Sequence, residues 1–225
     1  MEGNDNEQYF FNFSFFKIDP KWRWMADLAK EESAKEVENV ITNSGIRFRS
    51  YSTLGLRDDA EFLFWFAAET VEEIQNVISK LYLTVFGKYI IPSRVYLSCT
   101  RPSVYARKGR TLSFVAGEEP RKFVIVYPFT KTREWYLLPQ AQRQKMMDQH
   151  IDVSEKYPQV ILNTTYSFGI SDQDFMLAFE CDNLRDFQNL IMELRQTKVS
   201  AYVAVDTPMI TCVKQDIVPL ITSLG

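Results

Sequence analysis

The chain has 225 residues, of which 46% are hydrophobic and 24% charged. That composition suits a globular protein with one large core or two cores of about 100 residues each, and it excludes disordered, collagen-like and membrane-spanning classes. The first eight residues carry Glu2, Asp5 and Glu7 in place of the basic start of an export signal, so a cytoplasmic protein is expected.

The net charge of −3 conceals a strong segregation along the chain. Between Arg94 and Arg143 there are ten basic residues and three acidic ones, a local charge of +7 that leaves −10 for the rest. A basic segment of this kind is either a solvated linker or a local site for a small anion. A long polyanion such as nucleic acid is not an expected partner, because the whole protein is acidic.

The first half of the chain predicts the element order β-α-β-β-α-β. Strands are predicted at 9–18, 46–56, 61–68 and 95–100 from runs of aromatic and β-branched residues. Asp19 followed by Pro20 predicts the start of a helix that extends to about residue 43. A second helix begins behind Thr70, which with Glu73 has the spacing of a capping box.

The second half repeats this order, with strands at 122–129, 161–169, 175–180 and 209–213 and helices at 135–150 and 184–198. Residues 71–81 align with residues 184–194 at a constant offset of 113, and four pairs are identical. We therefore predict an α+β fold of tandem duplicated ferredoxin-like units, of the dimeric α+β barrel type, with antiparallel sheets and outer helices. The units are predicted at 1–110 and 111–225, with the boundary between Arg101 and Pro120.

Two residues near the end of the 122–129 strand are candidates for chemistry. Tyr127 and Lys131 lie on one face if the strand persists, about 13 Å apart at about 3.3 Å per residue. Pro128 lacks the N–H that the sheet ladder needs, so we expect Lys131 at a frayed end or an edge. The pattern alone favours a core tyrosine and a surface lysine, with a functional pair as the alternative.

His150 is the only histidine in the chain, which excludes a site with several histidine ligands. No nucleophile motif surrounds any serine or cysteine, and the spacing of Cys99, Cys181 and Cys212 indicates buried thiols. A single histidine can supply the one axial bond that a haem iron takes from a protein, or it can be an ordinary satisfied histidine.

These candidates belong to a longer series of residues in the second half. The series is Tyr127-Pro-Phe-Thr-Lys131, Trp135-Tyr-Leu-Leu-Pro139, Arg143, Met146-Met147 and His150, then Ser167-Phe-Gly-Ile, Asp174-Phe, Phe179-Glu180-Cys-Asp182, Phe187, Leu194-Arg195 and Asp206-Thr-Pro208. In this order the residues resemble the chlorite dismutase-like haem protein family over residues 122–212, and only the architecture is shared before them. The resemblance implies a duplicated ferredoxin-like fold with haem in the C-terminal unit and a homopentameric ring.

Within that family, the Tyr-Pro-x-x-Lys and Trp-Tyr arrangements resemble the coproheme decarboxylases. This implies an enzyme of haem biosynthesis that uses hydrogen peroxide to convert iron coproporphyrin III, both substrate and cofactor, into haem b. His150 is then the axial iron ligand, Tyr127 the radical tyrosine and Lys131 the cation that orients a propionate. The implied porphyrin contacts are Lys131, Arg133, Trp135, Met147, His150 and Leu162.

Two residues depart from the family pattern. Lys198 stands where relatives carry an acidic residue that accepts a hydrogen bond from the proximal histidine, so Glu193 or a backbone carbonyl would have to replace that acceptor. Leu162 stands where chlorite dismutases carry a distal arginine, so chlorite decomposition is not expected. The alternatives are a haem or coproheme carrier or sensor, and a family member with weak peroxidase activity or without haem.

Overall fold

The computed structural model describes residues 8–105 and 112–225. Arg107, Lys108 and Arg110 of the basic segment, together with residues 1–7, lie outside the described residues. The described chain divides into an N-terminal unit, residues 8–99 and 211–225, and a C-terminal unit, residues 100–105 and 112–210. Because residues 211–225 belong to the N-terminal unit, the compact units do not coincide with two consecutive segments at 1–110 and 111–225.

The secondary structure follows the chain in this order. The elements are β1 (Phe10–Ile18), α1 (Asp27–Thr42), β2 (Arg47–Ser52), β3 (Phe62–Ala68), α2 (Val71–Leu83), β4 (Ile90–Cys99), β5 (Phe123–Lys131), α3 (Arg133–Leu137), α4 (Gln140–Ser154), β6 (Ile161–Tyr166), β7 (Phe175–Cys181), α5 (Leu184–Leu194), β8 (Val203–Val205), β9 (Ile210–Lys214) and α6 (Ile217–Ser223). Short 3-10 helices lie at Pro20–Trp24, Phe86–Lys88 and Lys198–Tyr202.

The N-terminal unit contains an antiparallel sheet in the order β4-β1-β3-β2, and residues of β9 extend it beside β2. Its helices α1, α2 and α6 pack on one face over Phe62, Phe64 and Phe66 of β3. All seven residues of β3 are buried. The predicted strand at 209–213 thus contributes to this unit, and α6 was not predicted.

The C-terminal unit contains an antiparallel sheet in the order β8-β5-β7-β6. Helices α4 and α5 cover one face of it, where apolar residues of β5 and β7 meet Leu190 and Leu194 of α5 and Val153 of α4. Both units therefore have the strand order 4-1-3-2 of a ferredoxin-like fold, which confirms the predicted fold class. No helix among the described residues is long and apolar enough to cross a bilayer.

The internal repeat is visible in the helix starts. Helices α2 and α5 begin 113 residues apart, and each has an N-cap side chain, Thr70 and Asn183, that accepts a backbone hydrogen bond. Thr70 and Glu73 form the predicted capping box. Gly55 and Gly169, in corresponding turns, have φ values of 73° and 75°, which side chains other than glycine rarely tolerate.

Two predicted helices are each divided. Residues 20–24 form a 3-10 helix, and α1 begins only at Asp27 because Met25 and Ala26 have extended backbones, which no local signal predicts. The predicted helix at 135–150 is α3 followed by α4. The break lies at Leu138, with ψ of 145°, because the residue before a proline is sterically driven out of the helical region.

Candidate functional site

One face of β5 lies against α4 and α5 and carries the tyrosine of the candidate site. Tyr127 is 3% exposed and stacks on Phe179 of β7, with ring centroids 5.9 Å apart and planes inclined by 8°. Burial raises the pKa of the phenol well above its ordinary value, and Asp206 adds to this effect. The hydroxyl therefore keeps its proton at neutral pH.

We expected Lys131 at a frayed end or an edge, and it is the last residue of β5, where it is paired and not frayed. The ladder passes through Pro128, which is paired with Met176, and Lys131 itself pairs with Val203 of β8 next to a β-bulge. Its backbone N–H donates to Asp174 Oδ2 at 2.9 Å. A proline is tolerated here because the strand can bulge close to it.

The ammonium of Lys131 lies in a mostly apolar and aromatic setting. Nζ is 4.8 Å from the ring centroid of Trp135 and 5.0 Å from that of Phe129, and it donates to the carbonyl oxygen of Val199 at 3.4 Å. No carboxylate among the described residues pairs with it. Burial lowers the pKa of Lys131 to about 8. The ammonium is thus positioned to receive an anion from outside the chain.

The Lys131→Met variant of the ligand-free protein is expected to be more stable than the wild type at pH 7. The lowered pKa corresponds to an electrostatic cost of at most about 3 kcal/mol, and the lost cation–π contacts reduce the net gain to about 1 kcal/mol. Urea unfolding at pH 7 and pH 10.5 measures the difference. The gain should shrink to about 0.4 kcal/mol at the higher pH, where the amine is neutral in the folded protein and about half neutral in the unfolded chain. Stability of the variant equal to or lower than that of the wild type at pH 7 would contradict the electrostatic cost.

His150 lies on α4 beside Lys131 and has an unsatisfied ring nitrogen. Its Nδ1 atom is buried and has no hydrogen-bond partner among the described residues. Burial lowers the pKa of the imidazole to about 4, and the positive charge of Lys131 contributes. The ring is therefore neutral at physiological pH, which is the form that binds a metal.

The stability of the ligand-free protein should fall as the pH is lowered from about 6.5 to about 4. In that window the unfolded chain binds a proton at His150 that the folded protein does not, so protonation favours unfolding. We expect about 1–2 kcal/mol from this group, reduced from the full shift because the ring is partly exposed. Urea unfolding of wild type and His150→Gln at pH 7 and pH 4.5 isolates the effect, and identical pH slopes would contradict it.

Glu193 does not supply the carboxylate that would accept a hydrogen bond from His150. Its carboxylate accepts from Tyr157 Oη at 2.6 Å and from Lys156 Nζ at 2.8 Å, so it joins the end of α4 to α5. Lys198 is exposed at the start of a 3-10 helix. Neither residue provides the carboxylate that fixes a ligating histidine, and Nδ1 stays unpaired among the described residues.

The other predicted contacts differ in their placement. Trp135 is 2% exposed and packs with Met146, while Met147 is partly buried against the same cluster. Leu162 is 39% exposed and pairs with Phe179, which puts it on the same sheet face as Tyr127 because paired residues of an antiparallel sheet share a face. Arg133 is the first residue of α3 and is exposed, so it is the predicted porphyrin contact with the least support from the structure.

A hydrogen bond that sequence reasoning missed supports this arrangement. Tyr136 Oη donates to Asp174 Oδ2 at 2.6 Å, and the same oxygen accepts the backbone N–H of Lys131. Asp174 therefore connects β5, α3 and the loop before β7, which sets the position of Lys131 and Trp135. Both residues were within the quoted series, but spacing alone does not show which carboxylate a phenol reaches.

The described residues of the basic segment do not form one anion site. Arg94 pairs with Asp59 at 2.9 Å in the N-terminal unit, and Arg121 pairs with Asp182 at 3.2 Å. Among the described basic residues of the segment, Lys131 is the one next to the histidine. The charge count along the chain therefore predicted a stronger anion site than these residues form, because acidic residues from outside the segment neutralise part of the positive charge.

The donor set suits an iron porphyrin with carboxylate side chains. It offers one neutral imidazole for an axial bond, one partly buried ammonium for a carboxylate, and aromatic and aliphatic side chains for a flat ring. The described residues contain no cluster of three or more His, Cys, Asp or Glu residues that could hold a metal ion by themselves. A porphyrin supplies four equatorial nitrogens, so one histidine suffices.

Comparison with known proteins agrees with this geometry. The family model described as chlorite dismutase matches residues 30–215. The coproheme decarboxylase of Mycolicibacterium smegmatis is 34% identical over 175 residues, which cover 77% of this chain and 75% of that protein. Its haem-related name and this donor set agree on a haem-type ligand.

Solved structures support the fold. The chlorite dismutase from Candidatus Nitrospira defluvii has a TM-score of 0.86 at 24% identity, covering 96% of this chain and 94% of that one. The putative chlorite dismutase TA0507 has a TM-score of 0.82 at 21% identity, covering 97% and 99%. With the family match over most of its length and the 34% identical relative, this chain belongs to the chlorite dismutase family.

Proposed function

We propose that the protein catalyses the peroxide-dependent oxidative decarboxylation of iron coproporphyrin III to haem b. The observation that carries the proposal is the placement of Tyr127 on the face of β5 that meets α4 and α5, with Lys131 at the end of the same strand and close enough to His150 for its charge to lower the pKa of that imidazole. The 34% identical coproheme decarboxylase supports the same chemistry. Leu162 in place of a guanidinium makes chlorite decomposition unsuited to this site.

The overall reaction balances for each propionate without another reductant or oxidant. One propionic acid side chain and one hydrogen peroxide yield a vinyl group, carbon dioxide and two waters. The bound iron porphyrin supplies the redox chemistry that couples peroxide reduction to this oxidation. The chain has to bind the ring, orient the reacting propionate and pass on a hydrogen atom.

Tyr127 has the properties of the hydrogen-transferring group. Its phenol is buried and protonated at neutral pH, so oxidation removes an electron and the proton together. The neutral radical formed in this way can take a hydrogen atom from a propionate methylene and so regain its O–H bond. Stacking on Phe179 holds the ring in place and excludes water.

Lys131 and His150 position the substrate. The ammonium of Lys131 pairs with a propionate carboxylate, and that pairing raises its pKa from about 8 because the anion offsets the cost of burial. His150 binds iron without first losing a proton, since its pKa is about 4. The charge of Lys131 contributes to the lowered pKa of His150, which supports assigning the iron ligand and the carboxylate ligand to one site.

The proposal is tested by incubating purified protein with iron coproporphyrin III and hydrogen peroxide and following the porphyrin by mass spectrometry. Successive loss of two carboxyl groups is expected, with haem b as the end product. The same incubation without peroxide is the control. Binding of the porphyrin without any decarboxylation would contradict the enzyme and support the second candidate.

The second candidate is a haem or coproheme carrier or sensor. It is favoured by one observation, the unpaired Nδ1 of His150, since a ligating histidine without a hydrogen-bonded carboxylate binds iron less strongly. A carrier exchanges its porphyrin with an acceptor faster than it alters it. Transfer of intact porphyrin to apomyoglobin, with no loss of mass in peroxide, would identify this function.

A homopentameric assembly and a cytoplasmic location are part of the proposal through the family resemblance. Light scattering coupled to gel filtration tests the assembly, and fractionation of the source cells tests the location. A monomer in solution would separate this chain from the ring-forming members of its family.

A further inference from the structure

Arg143 is a second cation that faces the candidate site and that the proposed chemistry leaves unused. It lies three, four and seven residues before Met146, Met147 and His150, spacings that put all four side chains on one face of α4. These four residues are buried or partly buried, whereas Lys145 and Gln149 between them, and Gln142 just before them, are exposed. Arg143 therefore occupies the inner face of the helix.

The guanidinium of Arg143 has no anionic partner among the described residues. Its Nε atom is buried without a hydrogen bond, and none of the described ion pairs includes it. The first turn of α4 contains no acidic residue. The sequence of residues 106–111 contains neither Asp nor Glu. Arg143 is partly buried, and a buried N–H without an acceptor is costly, so an external anion is the chemical partner that this position lacks.

The packing order along α4 places Arg143 away from the reacting tyrosine. Val153 packs against the cluster that contains Tyr127, and His150 lies beside Lys131. Met146 packs against Trp135, and Arg143 lies one turn beyond it. Along the helix axis, Arg143 is about 10.5 Å from His150 on the side opposite Val153, at about 1.5 Å per residue.

We propose that Arg143 binds a porphyrin carboxylate that the reaction leaves intact, whereas Lys131 serves a carboxylate near Tyr127. The inference rests on the proposed porphyrin ligand. A guanidinium is suited to this role because its planar fork can bind both oxygens of a carboxylate. Haem b keeps two propionates, so Arg143 would contact substrate and product alike. In this way the chain holds the ring in one orientation while the other propionates react.

The test compares haem b with haem dimethyl ester, in which both carboxylates are blocked, by Soret absorbance titration in one detergent buffer. Arg143→Met should weaken binding of haem b roughly 10- to 100-fold, the range expected for loss of a charged hydrogen bond. Binding of the ester should not change. Arg121→Met, which removes an exposed guanidinium paired with Asp182, is the matched control and should bind both ligands like the wild type.

An equal loss for haem b and its ester would overturn the inference, because it would show that Arg143 acts through packing. If Arg143→Met does not fold, Arg143→Lys keeps the charge without the fork and should show a smaller loss, again for haem b alone. Wild-type protein that binds haem b but never decarboxylates iron coproporphyrin III would refute the proposed function and leave Arg143 testable. Active wild type with an unaltered Arg143→Met titration would refute only the role of Arg143.

Discussion

Tyr127→Phe is expected to slow decarboxylation of iron coproporphyrin III by about 10²- to 10⁴-fold, the range over which one positioned proton-transferring group contributes. Phenylalanine keeps the stacked ring on Phe179 but has no O–H bond to give and regain. Porphyrin affinity should stay within about fivefold of the wild type, since the hydroxyl contributes at most about 1 kcal/mol to it. Single-turnover mass spectrometry with titrated peroxide measures the rate.

Tyr166→Phe is the matched control for this experiment. Its ring lies on β6 against Phe168 and Phe175, in the same unit but outside the Tyr127 cluster, and it is partly buried. It should decarboxylate at the wild-type rate. If Tyr127→Phe also kept the full rate, the hydrogen-transfer role would move to another side chain, and the difference between the two variants would disappear.

His150→Ala is expected to lose axial ligation and to bind iron coproporphyrin III more weakly. The loss should exceed the about 10- to 100-fold that follows removal of a residue hydrogen-bonded to a metal ligand. The neutral ring of the wild type has a pKa of about 4, so no proton competes with iron at pH 7. The Soret and electron paramagnetic resonance spectra should change accordingly. Added imidazole should restore them in part, since the alanine leaves room for a free ligand.

The ligand-free His150→Ala protein should unfold at a urea concentration close to that of the wild type. The substitution removes a buried Nδ1 that has no partner among the described residues, and this offsets the lost packing. Gln149→Ala, at an exposed neighbouring position of α4, is the control and should bind like the wild type. An unchanged iron spectrum in His150→Ala would remove this residue from the site.

Much of the fold could be predicted from local signals. Thr70 and Asn183 mark the starts of α2 and α5 because their side chains satisfy free backbone N–H groups, a requirement that does not depend on tertiary packing. The similarity between residues 71–81 and 184–194, at an offset of 113, then implied two similar units. The predicted end of β5 at residue 129 was wrong. Lys131 stays in the strand because of a bulge and a pairing with β8, whose residues lie about 70 positions later in the chain.

Only part of the candidate site could be predicted from the sequence. The sequence places Tyr127 and Lys131 on one strand face and Arg143, Met147 and His150 on one helix face, since these periodicities are properties of the backbone. It could not show that Glu193 bonds to Tyr157, nor that Tyr136 bonds to Asp174, because such partners meet only when separate elements pack.

By itself, the sequence determined the element types, the duplication and the identity of the one histidine, because caps, periodicity and composition act over a few neighbouring residues. The tertiary structure decided which charges are paired. Arg94 and Arg121 are paired with Asp59 and Asp182, whereas Lys131 is partly buried among aromatic rings with a lowered pKa. Burial and Coulomb interactions depend on distances in three dimensions. The local charge of +7 along the chain therefore did not show which of the described basic residues are free to bind an anion.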